Sequence, residues 1–476
     1  MYRSKEDQLE FENFDLPFSG KLRSDNRWVK LAKLIPWGEF ELSYSKTLKR
    51  SGFGPPAKSV RVALGALIIK ERLGTSDEET VEQIRENPYL QYFLGFKEYR
   101  DEEPFHPTMF VHFRKRISKE MLGKVNEAIH KKARPSDDDD DDPSPGNKGK
   151  LLLDATCAPA DITFPTDLKL LNKAREKSEK VIDILHRPHK GKKQKPRTYR
   201  RKARKDFLGV AKAKALPKSK RRKAIRKQLG YVERNLKIIN RLTKESSLSL
   251  LTRQQYKELL VVSELLRQQR RMYEQHENRI NDRIVSISQP HVRPIKRGKA
   301  HASTEFGAKI SASLVDGYCF LDRLSWDNYN ESGDLENQIQ LYKKRFGFYP
   351  ESVHVDKIYR NRNNIKFCKK YRIRISGPRL GRPPKDISKQ QELKKQYWQD
   401  EIDRIPIEGK FGQAKRRFGL SRIMCKLART SETAIAMTFL VMNLEKWLKF
   451  FLFVYLNLDS IIIWLHLREN KSKISN

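Results

Sequence analysis

Histidine and cysteine are scarce, ten and four among 476 residues. Cys157, Cys319, Cys368 and Cys425 stand far apart with no CxxC pair, so neither a zinc site nor a disulfide frame is indicated. Long apolar runs are missing as well. The C-terminal stretch "FLVMNLEKWLKFFLFVYLNLDSIIIWLHL" is interrupted by Glu445, Lys446, Lys449 and Asp459 and falls short of the ~18 uninterrupted residues of a membrane span. It reads as a buried helix followed by an apolar tail. The opening "MYRSKEDQLEF" has no apolar core and does not read as a signal peptide. Acid is also in short supply: 59 Asp+Glu face 99 Lys+Arg, a net charge of +40. Self-repulsion of that size calls for a polyanion, and nucleic acid is the default partner. A cytoplasmic, nucleoid-associated protein is the expectation.

What is present divides the chain into four. Residues 1–134 are expected to hold a helical domain. "AKSVRVALGALIIKERLG" has helical periodicity and ends at Gly74; Ser76 then stands three residues before Glu79, a capping-box spacing. "HPTMFVHFRKRI" starts a further helix carrying Arg114, Lys115 and Arg116, in the manner of a helix-turn-helix reader or of a plain helical domain. Residues 135–149 form an acidic Pro/Gly linker with six consecutive aspartates, Asp137–Asp142. Residues 150–450 alternate strand and helix signals around a basic helical insertion at about 168–290, and 451–476 form the tail.

The insertion is the most basic part. Residues 187–230 hold 20 Lys/Arg and one acid, Asp206. Charge of one sign at this density tracks phosphates without reading sequence. Tyr199 and Phe207 are placed to stack on bases or to anchor the segment, and His186 and His189 are read as phosphate or solvent contacts. Apolar positions at helical spacing follow, first Leu229, Val232, Leu236 and Ile239, then Tyr256, Leu259, Val262 and Leu266. "SSLSLLT" interrupts them, which predicts a helical hairpin with these residues in its core.

"KLLLDATCAPADITFPTD" opens on a buried-strand pattern that stops on Asp154, and "ESVHVDKIYR" is a second short strand that stops on Asp356. Thr166 or Asp167 caps the helix after the first, and Asp161 reads as a turn residue. Two alternating runs flank Asp316-Gly317, a hairpin turn; Asp316, Asp322 and Asp327 read as turn and loop residues. "GDLENQIQLYKKRFG" predicts a helix ending at Gly347, and "YRIRISG" a further strand. If Asp154 and Asp356 end neighbouring strands, their carboxylates meet at one sheet edge. In "EIDRIPIEGKFGQAKRRFGL", Arg404, Glu408 and Lys415 fall within roughly 40° of one another at about 100° per helical residue. Pro406 fits only a first turn, which puts Arg404 just ahead of that helix. Three converging carboxylates beside a basic surface suit Mg²⁺, whose remaining ligands are waters and phosphate oxygens. Two such ions support in-line phosphodiester displacement.

"LLLDATCAPADITFPTDLKLLNKAR", "RPIKRGKAHASTEFGAKIS", "YPESVHVDKIYRNRNN" and "IEGKFGQAKRRFGL" resemble bacterial insertion-sequence transposases with an RNase H-like DDE domain and a helical InsH-type N-terminal domain, over about residues 20–450. The resemblance implies an α/β RNase H-like catalytic domain, a mixed sheet flanked by helices, with the basic insertion and an all-α N-terminal domain that binds terminal repeats. It implies Asp154, Asp356 and Glu408 as catalytic acids and metal ligands, with two Mg²⁺ ions that Mn²⁺ can replace. Arg404 and Lys415 match the family's Tyr-x2-Arg-x3-Glu-x6-Lys signature, but Glu401 stands where the signature has Tyr. Arg404, Lys415, Arg416, Arg201, Lys202, Arg221 and Arg222 are the expected DNA-binding residues. The implied activity is cleavage of phosphodiester bonds at the ends of an element and transfer of 3′-hydroxyls to target double-stranded DNA, by a homodimer or larger synaptic complex. The alternatives are a non-catalytic DNA-binding derivative, which Glu401 supports, and a nuclease without strand transfer.

Overall fold

The computed structural model describes residues 14–16, 20–48, 56–133, 146–213, 215–296, 304–381, 384 and 386–450. The aspartate run at 137–142 and the tail after 450 lie outside the described residues. The chain forms two compact units: Met1–Ala158 with Lys309–Leu324 and Tyr329–Asn476, and Pro159–Ala308 with Ser325–Asn328.

Among the described residues the first unit begins with seven helices: α1 (Arg27–Leu34), α2 (Trp37–Ser45), α3 (Val60–Leu73), α4 (Asp77–Glu86), α5 (Pro88–Phe93), α6 (Met109–Arg116) and α7 (Lys119–Ala133). α3 is buried along most of its length because apolar residues occupy nearly every face. The Ser59 hydroxyl accepts from the Val62 N–H at its start, and Gly74 ends it in the left-handed region at φ 70°. Ser76 caps α4, its hydroxyl accepting from the Glu79 N–H at 3.0 Å. Phe105, Phe110 and Phe113 pack edge to face beneath α6. The chain then enters β1 (Lys150–Pro159) through Gly149, at φ 80°, where a Cβ would stand 2.6 Å from the Tyr342 hydroxyl oxygen. Only glycine fits that approach.

The second unit is built on α8 (Asp167–His186), α9 (Arg200–Ala211), α10 (Lys218–Leu242) and α11 (Arg253–Glu274). Thr166 caps α8, its hydroxyl accepting from the Lys169 N–H. Leu170, Leu171 and Ala174 of α8 pack with Leu229 and Val232 of α10 and with Val262 and Leu265 of α11. The predicted helical hairpin is present, restarted by a capping box between Thr252 and Gln255. Tyr256 is a correction: it sits in the first turn of α11, 42% exposed, outside that core. The histidines are a second correction. The His186 ring contacts the Lys193 carbonyl at 3.2 Å and the His189 ring the Ser246 hydroxyl at 2.7 Å, so both brace the loop after α8. β2 (Arg293–Lys296) pairs antiparallel with the first residues of β3 (Thr304–Val315), and the Ala160 N–H donates to the Phe306 carbonyl at 2.8 Å.

In the first unit β3 and β4 (Tyr318–Ser325) form the predicted hairpin, with Asp316 at φ 49° and Gly317 at φ 76° supplying the left-handed turn. β1 lies between β3 and β5 (Ser352–His354), and β6 (Arg374–Ile375) lies beyond β5. β1, β5 and β6 run parallel, so with the antiparallel β2–β3 pair the sheet is mixed. Around it are α12 (Leu335–Phe346), α13 (Arg362–Lys370), α14 (Ile387–Arg417) and a helix through 428–450. α12 ends at Gly347, at φ 87°, where expected. Leu151 and Leu153 of β1 enter a core with Val353, Leu335, Ile339 and Tyr342. Asp322 is a third correction: it is a β4 residue whose fully buried carboxylate pairs with Arg345 at 2.8 Å.

Candidate active site

Asp154 lies inside β1, not at its end as the apolar run suggested, because β1 keeps β3 as a neighbour while β5 stops at His354. Asp154 therefore lies two residues past the point where the parallel pairing with β5 ends. The register pairs Lys150 with Ser352 and Leu152 with His354; continued two residues, it matches Asp154 with Asp356. Asp356 is exposed and caps the one-turn helix Lys357–Tyr359, accepting from the Lys357 N–H at 2.6 Å.

Glu408 comes from α14. Asp386 caps this helix, which continues through Pro406 to Arg417. This corrects the expected late start: Arg404 lies well inside the helix, one turn ahead of Glu408. The guanidinium reaches Glu408 at 2.6 Å and Asp154 at 3.8 Å. The Asp154 carboxyl is pushed up to about 6, chiefly by burial; the Ala155 N–H and Arg404 oppose the shift, while Glu408 and Glu331 add to it. Arg404 thus stands between two carboxylates as their cation. Among the described residues no group of three or more His, Cys, Asp or Glu side chains is gathered closely enough to hold a metal ion. Lys415 is half-buried in the last turn of α14, and Arg416 beside it is exposed and folds back along Gly412.

Residues 353–445 match the family described as Transposase DDE domain, and residues 17–116 match Transposase domain (DUF772). A Rhizobium meliloti protein, "Uncharacterized protein ORF8 in nfe locus", is 32% identical over 146 residues, 31% of this chain and 68% of the relative. The chain belongs to the DDE transposase family. No solved structure matches it. The transposase match spans Asp356, Arg404, Glu408 and Lys415, and leaves Asp154 and the second unit outside.

Two groups of site neighbours escaped the sequence reading of this transposase. The first locks α14 to β5. His354 is fully buried, its ring 3.7 Å from Asp400 and 3.9 Å from Asp403. Asp400 accepts from Arg374 at 2.7 Å and from the Gly377 N–H at 3.2 Å, and Asp403 binds Lys150 at 2.7 Å. Burial, with Arg374 alongside, pushes the imidazole down from its ordinary range, and each aspartate has a basic partner, Asp400 in Arg374 and Asp403 in Lys150. The second group is Lys309, Glu331 and Tyr359. Strand alternation places Lys309 and the spacing "DKIY" places Tyr359 near Asp356, but no pattern marks Glu331.

The basic segment of the second unit is helical in α9 and α10. Arg201 and Lys202 are exposed on α9 and Arg221 on α10. Arg222 is engaged: its guanidinium lies 4.0 Å over the Tyr273 ring and contacts His276 at 3.1 Å. Tyr199, half exposed at φ 53°, carries Arg234 over its ring at 4.8 Å. Asp206 is occupied by Lys227 at 3.2 Å and by the Tyr231 hydroxyl at 2.8 Å.

Proposed function

We propose that this transposase binds the inverted ends of its own element, hydrolyses phosphodiester bonds there and joins the freed 3′-hydroxyls to target DNA. The observation that carries this reading is Arg404 in contact with both Asp154 and Glu408, with the parallel β1–β5 pairing ending two residues before Asp154 and Asp356. Asp154, Asp356 and Glu408 are the catalytic acids in this reading. Asp154 supports a cation site there: its partly buried carboxylate accepts from the Ala155 N–H at 2.7 Å and meets Arg404 at 3.8 Å, while Glu408 and Glu331 add negative charge. The donors are all oxygen, which suits Mg²⁺, with Mn²⁺ as substitute. When bound, such ions activate the attacking hydroxyl and stabilise the leaving oxygen. Asp154, Asp356 and Glu408 would hold them. Arg404, released from the carboxylates, and Lys415 would then orient the scissile phosphate, and Arg416 the adjoining backbone. The exposed cations of α9 and α10 would hold flanking or target duplex, and the N-terminal helices would read the terminal repeats. Pairing two element ends calls for at least two copies of the chain.

The test is cleavage of duplexes carrying the DNA that flanks the gene, in Mg²⁺ and then in Mn²⁺. Asp154→Asn, Asp356→Asn and Glu408→Gln are each expected to abolish cleavage while leaving salt-sensitive binding intact. Survival of cleavage in any variant removes that residue from the assignment. Joined products from a pre-cleaved 3′-end separate a transposase from a nuclease.

Glu401 favours a second reading, a DNA-binding derivative without catalysis. It is exposed on α14, seven residues before Glu408 and so on the same side of the helix. There it adds negative charge where phosphate would approach. Binding without cleavage in either metal would select this reading.

A further inference from the structure

A cavity of about 890 Å³ opens within the second unit, walled by the end of α11, the loop that follows it, the β2–β3 pair and the segment after β1. Phe164 lies in its wall, 66% exposed, with the Phe306 ring edge to face at 5.5 Å. A single exposed apolar side chain needs no explanation by itself. The surroundings of this one are polar and mostly basic.

The charges in the wall do not balance. Glu264 is taken up by Arg267 at 2.6 Å, and Asp282 lies 4.0 Å from Arg293. Glu277 then faces an excess of cations, since Arg271, Arg279 and Lys296 all line the cavity and are exposed. Arg279 and Lys296 have no ion pair among the described residues. The Asn281 and Asn328 side chains stand in the same wall without a hydrogen-bond partner among the described residues.

The loop that carries several of these groups is fixed from beneath. Gln268 of α11, 2% exposed, accepts from the Ile284 N–H at 2.9 Å and donates to the Asp282 carbonyl at 3.1 Å. Arg283 donates to the Asn278 carbonyl at 2.8 Å and pairs with Asp167 at 2.6 Å. His276 and Asp282 are held in the left-handed region, at φ 56° and 54°, which is unfavourable for residues other than glycine. A wall set in advance in this way removes part of the ordering cost of binding.

An exposed aromatic ring, unpaired cations and free carboxamides in one concave site match a nucleotide whose base has left the helical stack. The ring stacks on the base, the cations meet phosphates and the amides reach the base edge. A paired duplex offers no such base, because each is covered by its neighbours. We propose that this cavity binds an unpaired nucleotide of the DNA substrate, its base on Phe164 and its phosphates at Arg279 and Lys296. This rests on the reading of the chain as DNA-binding and adds a single-strand subsite to the duplex contacts of α9 and α10.

Fluorescence anisotropy of the full chain with a labelled single-stranded DNA oligonucleotide, and with its duplex, tests the assignment. Phe164→Ala is expected to weaken single-strand binding about fivefold or more, the scale of one lost stacking contact, with duplex affinity within about twofold of wild type. Phe164→Trp is expected to retain binding, which a packing role for Phe164 would not require. Lys296→Ala is expected to lower the single-strand salt slope by about 0.7. Thermal unfolding by circular dichroism checks that each variant folds. If Phe164→Ala does not fold, photocrosslinking of the wild-type chain to a 5-iodouracil oligonucleotide takes its place. A crosslink at Phe164, located by mass spectrometry, supports the subsite, and crosslinks confined to α9 and α10 overturn it. Equal losses on strand and duplex, or no loss, overturn the subsite and leave the transposase reading standing. Tighter binding of the matching RNA strand overturns the assignment to DNA. Absence of binding to either form of DNA in the wild-type protein overturns both readings.

Discussion

The His354 ring lies 3.7 Å from the Asp400 carboxylate, joining the strand that leads to Asp356 with the helix that carries Glu408. Asp400 lies two helical turns before Glu408 and is 5% exposed. Asp400→Ala leaves Arg374 and the Gly377 N–H without their acceptor. Because Arg374 is 39% exposed and can turn to solvent, the loss is expected to be about 1–3 kcal/mol. The expected result is a lower unfolding midpoint in denaturant together with weakened cleavage. A variant as stable as wild type would show that the contact contributes nothing to holding α14.

Glu71 gives a pH dependence away from the candidate site. Burial pushes its carboxyl up to about 7 from an ordinary 4.5, although the Thr438 hydroxyl donates to it at 2.6 Å. The folded state holds this proton more tightly than the unfolded chain. The contribution to stability is therefore full below about 4.5 and is lost as pH rises through about 7. Glu71→Gln is expected to be more stable than wild type at pH 8, by at most about 3.5 kcal/mol on the scale of 1.4 kcal/mol per pKa unit. The advantage should fade toward pH 5. Urea unfolding at the two pH values measures it, and an equal effect at both refutes it.

The cations of α9 and α10 should separate into two classes. Arg201→Ala, Lys202→Ala and Arg221→Ala are each expected to reduce the salt dependence of DNA binding, by about one in the slope of log K against log salt for each phosphate left unneutralised. Arg222→Ala loses its position over Tyr273 and is expected to cost about 1 kcal/mol of stability with little change in slope. Binding titrations from low to moderate salt, with unfolding curves, distinguish the classes.

Glu401→Tyr restores the family signature. It is expected to raise cleavage at element ends a few-fold and to tighten binding most at low salt, where an exposed charge acts furthest. Unchanged cleavage would mean that Glu401 does not limit this copy.

The elements marked by local chemistry were legible in the sequence. The Gly74 and Gly347 helix ends, the Ser76 cap, the Asp316-Gly317 turn and the break between α10 and α11 all follow from residues within a few positions of one another. Pro406 misled because the helix rule concerns the proline's own missing N–H, while the start of α14 is set twenty residues earlier by Asp386. Asp322 looked like a loop acid because its partner Arg345 is a helix away. β1 ran past Asp154 because the second neighbour that supports it, β3, comes more than a hundred residues later. For the candidate site, the order of Asp154, Asp356, Arg404 and Glu408 was readable, and the network around His354 was not. Its members touch only after the sheet and α14 have formed.

The Ala160–Phe306 hydrogen bond has a consequence for how such a chain diversifies. It joins the two points where the polypeptide leaves β1 and returns to β3, two strands that are already neighbours. Everything from α8 to β2 lies in sequence between those two points. An exchange of this segment between relatives, by recombination or in the laboratory, needs only two junctions on adjoining strands. The inserted helices of such a protein can then drift or be replaced while the sheet that carries Asp154 keeps its pairing.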